Sequence, residues 1–145
     1  MKLSHALLAA FAALIATAAV AVAATKPTVK ATKNAAVGRT IVVDAKKGMT
    51  LYYLTGDKKG RLCSSAACVA VWPPLTVKSL HTKAVKGKGI NGPLAVFKRA
   101  DGRFQVTLRG KPLYQFVNDT AKGQANGEGI TAFGGTWHAM PALGY

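Results

Sequence analysis

Carboxylates are scarce in this 145-residue chain: Asp44, Asp57, Asp101, Asp119 and Glu128 are its only acidic residues, against 20 Lys and Arg. General acid and base chemistry usually needs a positioned pair of such groups, so few combinations remain, and Asp44 and Asp101 fall at expected hairpin turns. Asp119, Asn126 and Glu128 supply three oxygens in one stretch, but their spacing matches no standard calcium loop. Thiols and imidazoles are as sparse. Cys63 and Cys68 are the only cysteines, and beyond His5 the histidines are His81 and His138. A structural zinc site takes four ligands, and Cys63, Cys68 and His138 offer three, so no metal and no cofactor is expected. A metal-binding or redox-linked role built on those three residues is the alternative reading. The chain also lacks a Gly-x-Ser-x-Gly nucleophile motif, a phosphate loop and a dinucleotide fingerprint. No catalytic constellation is present, and the expectation is that this is not an enzyme.

The first residues have the build of an export signal. Lys2 supplies one positive charge, Ala6 to Ala24 form an unbroken apolar run, and Ala21-Val22-Ala23-Ala24 places small residues for cleavage just before Thr25-Lys26-Pro27. An Ala-rich run with such an exit is a poor membrane span, which needs about 20 strongly apolar residues. The expected division is a signal peptide over 1–24, a flexible basic leader over 25–38, and one domain over 39–145. No membrane span is expected after cleavage, and no cysteine lies near the cleavage site to carry a lipid. The protein is therefore expected in the periplasm or the medium. Part of the mean hydropathy of +0.18 belongs to this signal.

Only one of the 20 basic residues precedes residue 25 and none of the five acidic ones does, so the 121 residues that follow the signal carry 19 positive charges against five, or +14. Such a charge attracts anionic surfaces in general. The densest positive stretch of the expected domain is 76–93, with Lys78, Lys83, Lys86 and Lys88 as candidate anion-binding residues. His81 is the nearest approach to an aromatic there, so sequence-specific nucleic-acid binding is not expected. The expected partners are anionic envelope components or other polyanions.

Thr40–Asp44 and Met49–Leu54 are β-branched and aromatic runs around a Gly-containing turn, which reads as a hairpin. Leu94–Lys98 and Phe104–Leu108 enclose Asp101-Gly102, the strongest kind of turn dipeptide, and Leu113–Val117 follows as a third strand of a meander. Thr136–Met140 reads as a last strand, stopped by Pro141. Only Ser64–Val71 hints at helix. The expected class is mostly β: a small antiparallel domain, sandwich or partly open barrel. The connections 76–93 and 118–135 are longer than usual for a compact domain.

The chain also repeats itself. Gly48–Asp57 and Gly110–Asp119 superpose Gly, Leu, Tyr and Asp at an offset of 62, and each is followed by a tryptophan close to a proline, Trp72-Pro73 and Trp137 to Pro141. Two pseudo-symmetric units of about 60 residues sharing one core are expected, over roughly 39–75 and 94–142 with the basic loop 76–93 between them. Tyr-x-aromatic-x-x-Asp in double copy, Cys-x4-Cys, Trp-Pro-Pro-Leu, Asp-Gly-x-x-Gln-Val-Thr and Gly-Gly-Thr-Trp together resemble a bacterial family known as secreted repeat of unknown function, or predicted lipoprotein. The resemblance covers about residues 39–142. Leu54 stands where that family's motif has an aromatic, and the lipobox of its lipoprotein members is absent. The resemblance implies an architecture and a compartment, and no activity.

On a strand, Tyr52 and Leu54 share one face with Tyr53 on the other, and Tyr114 shares a face with Phe116. Asp57 and Asp119 stand where these strands give out, placed to accept N–H groups of the next turn, Lys58–Gly60 or Thr120–Lys122. Core aromatics plus a turn-capping aspartate is the structural reading of these residues, with Trp72 and Trp137. The functional alternative has the paired Tyr and Asp residues lining a pocket. Cys63 and Cys68 are expected to pair, because an exported chain with two cysteines separated by four small residues can close a small loop between them.

Overall fold

The computed structural model describes residues 25–144, so the expected signal peptide lies outside the described residues. The fold is mostly β, with antiparallel sheets and no closed barrel. β1 (Val29–Asn34) and β2 (Arg39–Asp44) form an antiparallel hairpin in the register Val29↔Asp44 to Asn34↔Arg39. β3 (Tyr52–Leu54) is followed by a six-residue helix, α1 (Ala66–Val71), and by β4 (Thr76–Val77). β5 (Leu94–Lys98), β6 (Phe104–Leu108) and β7 (Lys111–Pro112) complete a sheet with β4, in which β6 pairs with the other three. β8 (Thr131–Ala132) and β9 (Gly135–Ala139) form a second hairpin, and β9 also pairs with β3.

Strand alternation divides the interior into two apolar clusters. Val42, Leu51, Tyr53, Leu113, Met140 and Ala142 point into one, with Val106 and Leu108 of β6. Ile41, Val43, Tyr52, Leu54, Tyr114, Trp137 and Ala139 point into the other, with both cysteines, Trp72 and Phe116. β2 and β3 run between the two, which is why every residue of β3 is buried. These strands wet neither face, and so read as apolar runs rather than alternations.

Three expectations need correction, and the long 76–93 connection takes a defined form. The leader assigned to 25–38 contains a strand, β1. Its Lys and Thr content hides the pattern, but Val29 is fully buried and β2 takes its ladder bonds from β1. The hairpin turn of Asp44 to Met49 forms, with Asp44 N–H donating to Met49 O at 2.9 Å, but the regular ladder of β3 is made with β9. Leu113–Val117 is no third meander strand: β7 ends at Pro112, and Tyr114 makes single bridges to Tyr52 and Pro74. Squeezed between two neighbours, this segment follows neither for long. Finally, the 76–93 connection is fastened at several points. It begins with β4, buries Ile90, and joins β1 through Thr28 N–H to Val85 O (2.8 Å) and Gly87 N–H to Val29 O (2.9 Å).

Candidate functional site

The two Tyr-to-Asp motifs meet at their tyrosines. Tyr52 and Tyr114 exchange backbone bonds, N–H to O at 2.8 and 2.9 Å, as an antiparallel pair. From there each chain runs away in the opposite direction, so each tyrosine side chain reaches toward the end of the other motif. Tyr52 Oη donates to Asp119 Oδ2 at 2.6 Å, and Tyr114 Oη donates to Asp57 Oδ2 at 2.6 Å. Both tyrosines are fully buried. The second oxygen of each aspartate holds the following loop: Asp57 Oδ1 accepts Leu62 N–H at 3.0 Å, and Asp119 Oδ1 accepts Asn126 N–H at 2.9 Å. These acceptances fall further along the chain than the adjacent turns the sequence pointed to. Tyr52 Oη also accepts Gly127 N–H at 3.2 Å.

The tryptophans close the same cluster. Trp72 and Trp137 stack with centroids 3.9 Å apart and planes 2° from parallel. Tyr52 stands edge-on to Trp72 at 5.4 Å, and Tyr114 edge-on to Trp137 at 5.1 Å. Phe116 stacks on Trp72 at 4.2 Å, and Leu54 fills the same cluster. The fold therefore brings together all eight motif residues singled out in the sequence.

Their electrostatics oppose proton transfer. Burial, reinforced by the bond to Asp119, holds the Tyr52 hydroxyl far above the usual tyrosine range, and burial with the bond to Asp57 does the same for Tyr114. The neutral phenols each donate to a carboxylate that also holds a loop N–H, so all four groups bond to one another or to the backbone.

Cys63 and Cys68 are joined in a disulfide across the start of α1, with Cα atoms 5.4 Å apart, and Ser65 caps the helix by accepting Cys68 N–H at 3.2 Å. This corrects the alternative metal reading: bridged sulfurs are not thiolate ligands. His138 points to the opposite side of β9 from Trp137, against Tyr53, and its Nδ1 is 2.7 Å from Glu128 Oε1. Among the described residues no group of three or more His, Cys, Asp and Glu side chains is placed to hold a metal. In the stretch whose spacing matches no calcium loop, Asp119 is bonded as above and Glu128 is bonded to His138 and Ala139 N–H.

Lys78, Lys83, Lys86 and Lys88 lie apart from this cluster, all exposed, with Lys86 Nζ donating to Gly92 O. Two residues that the sequence did not flag lie beside the disulfide. Arg99 is buried, and its guanidinium donates to Asp101 Oδ2 (3.0 Å), Gln105 Oε1 (2.6 Å) and Cys63 O (2.8 Å). Gln105 passes the chain on to Leu113 O at 2.8 Å. The one hint in sequence was the Arg-Ala-Asp-Gly-Arg turn, which announces charge but not burial. Arg103 and Arg99 hold the Asp101 carboxyl well below the usual carboxylate range.

Among the described residues no helix is long and apolar enough to cross a membrane. Neither the curated proteins nor the solved structures offer a match to this chain. Residues 95–140, from β5 through β9 with the second Tyr-to-Asp motif and Trp137, match the family described as secreted repeat of unknown function.

Proposed function

We propose that this chain is an exported, noncatalytic domain that associates with anionic envelope material through a basic ridge formed by β1 and the 83–88 loop. Cleavage near residue 24 would release it, without a lipid anchor, into the periplasm or the medium. The observation that carries the reading is the division of charge. All five carboxylates are occupied internally: Asp44 with Lys46 N–H and Gln115, Asp57 and Asp119 with the tyrosines, Asp101 with Arg99 and Arg103, Glu128 with His138. Lys30, Lys33, Lys83, Lys86 and Lys88 face solvent. The loop lies close to the strand, since a Cβ on Gly87 would come within 3.1 Å of Val29 O and 3.6 Å of Lys30 Cγ, so lysines from both segments form one ridge. The motif cluster then serves as scaffold, and the ligand is held by charge rather than by a shaped cavity.

Retention on heparin and on phosphorylated glycans tests this. The purified protein is expected to bind at low salt, with log affinity falling linearly in log salt concentration. Substituting Lys83, Lys86 and Lys88 together by Gln is expected to reduce the slope by roughly 2 to 3. Elution of the unmodified protein at low salt, or an unchanged slope in the variant, would refute the ridge.

A further inference from the structure

The β8–β9 hairpin turns through Phe133 and Gly134, and both have positive φ, +56° and +84°. Two consecutive left-handed residues make the turn type that favours Asn-Gly, because asparagine and glycine tolerate that region and larger side chains rarely do. Here the first position is a phenylalanine, and its side chain remains 36% exposed. An aromatic that strains the backbone without being buried is poorly explained by packing.

A second exposed apolar residue lies against the same turn. Leu62, 39% exposed, sits between Gly134 and Gly56, each of whose added Cβ would be 3.7 Å from a Leu62 methyl. Its backbone is fixed by Asp57, which Tyr114 holds in turn. The loop that presents Leu62 also presents Lys58, Lys59 and Arg61, all exposed, while its own acidic residue, Asp57, is buried. Asp101, which lines the adjoining depression with Lys59 and Arg61, is already paired with Arg99 and Arg103.

We propose that Phe133 and Leu62 form an apolar tip that enters the headgroup region of an anionic lipid bilayer, with Lys58, Lys59 and Arg61 contacting the lipid phosphates. Apolar side chains beside basic ones match the two halves of such an interface, since the apolar groups leave water while the cations meet the negative surface potential. The tip uses residues other than those of the lysine ridge and does not depend on it.

The test is cosedimentation of the purified protein with phosphatidylcholine vesicles, with and without phosphatidylglycerol, at low salt. Binding is expected only with the anionic lipid. Phe133→Asn suits the left-handed turn, so it is expected to keep or raise the melting temperature while lowering vesicle affinity about tenfold. Neutralising Lys58, Lys59 and Arg61 to Gln is expected to cost about fivefold per residue on anionic vesicles. Phe133→Asn is also expected to keep its retention on heparin. Absence of binding by the unmodified protein, unchanged binding of Phe133→Asn, or a lowered melting temperature in that variant would overturn the proposal. So would loss of vesicle binding on substituting Lys83, Lys86 and Lys88 alone, which would assign the membrane contact to the ridge.

Discussion

Tyr52 hydrogen-bonds the aspartate that ends the other motif, Asp119, 67 residues away, and not Asp57, which ends its own motif. Tyr114 does the converse with Asp57. The spacing of tyrosine and aspartate within each motif is thus satisfied in trans across the pair, and each bond closes one motif's loop onto the other motif's strand.

This exchange sets a pattern of energetic coupling. Tyr52→Phe leaves a buried carboxylate short of a donor, a loss of about 1 to 3 kcal/mol, and Tyr114→Phe should cost the same. In double-mutant cycles by denaturant unfolding, Tyr52→Phe is expected to couple to Asp119→Asn and to add independently to Asp57→Asn. Coupling within a motif instead of between motifs would contradict the observed pairing.

Alkaline titration reads the same bonds. The folded-state pKa values of Tyr52 and Tyr114 lie above the ordinary value near 10, so their contribution to stability is fully present below pH 10 and is lost as pH climbs through the folded values. Ultraviolet titration is expected to show both tyrosines ionising only in a cooperative step that coincides with unfolding. Gradual ionisation near the ordinary value in folded protein would mean that the hydroxyls reach solvent.

The stacked tryptophans offer a spectroscopic readout. Parallel indoles 3.9 Å apart should give an exciton couplet in far-ultraviolet circular dichroism, abolished equally by Trp72→Phe and Trp137→Phe. Truncation to alanine at either site is expected to destabilise by about 3 to 5 kcal/mol, because each ring is buried in the same aromatic and aliphatic cluster. Trp137 Nε1 is buried with no partner among the described residues, so Trp137→Phe removes an unsatisfied donor and should cost less than loss of ring volume alone implies.

What could be read in advance follows from the range of the forces involved. The common side of Tyr52 and Leu54 on β3, the Asp101-Gly102 turn and the short helix before Trp72 depend on local geometry, and all stand in the structure. The exchange of partners between motifs does not, because spacing within a segment says nothing about which distant segment lies opposite. β1 stayed hidden because Lys30, Thr32 and Lys33 break the apolar pattern, and its place is fixed by the bonds that β2 needs. Arg99 stayed hidden because arginine is seldom buried, and nothing local marks the one that is.

The disulfide closes a short loop, so the entropy that it removes from the unfolded chain is small, and its loss by Cys63→Ala with Cys68→Ala should cost on the order of 2 kcal/mol. Both residues are buried, so a thiol count on denatured, unreduced protein is expected to find none free, and the folded protein should resist mild glutathione. Two free thiols would remove the bridge from the exported form.

Arg99 ties the disulfide loop to the β5–β6 hairpin, and its removal should cost more than that of the bridge it supports. Truncation to alanine strands Gln105 Oε1 and Cys63 O in the interior and empties the space beneath Gly60, whose added Cβ would come within 2.7 Å of the guanidinium. The expected loss is about 3 to 5 kcal/mol. Arg99→Lys keeps the charge but not the fork that serves three acceptors at once, so it should recover only a minor part of the loss. Gly60→Ala combines that close approach with a φ of +67°, and is expected to destabilise through the same guanidinium. The Gly60→Ala and Arg99→Ala costs should therefore be subadditive in denaturant unfolding, since the clash disappears once the guanidinium is gone. Strict additivity would show that the strain at Gly60 is confined to the backbone.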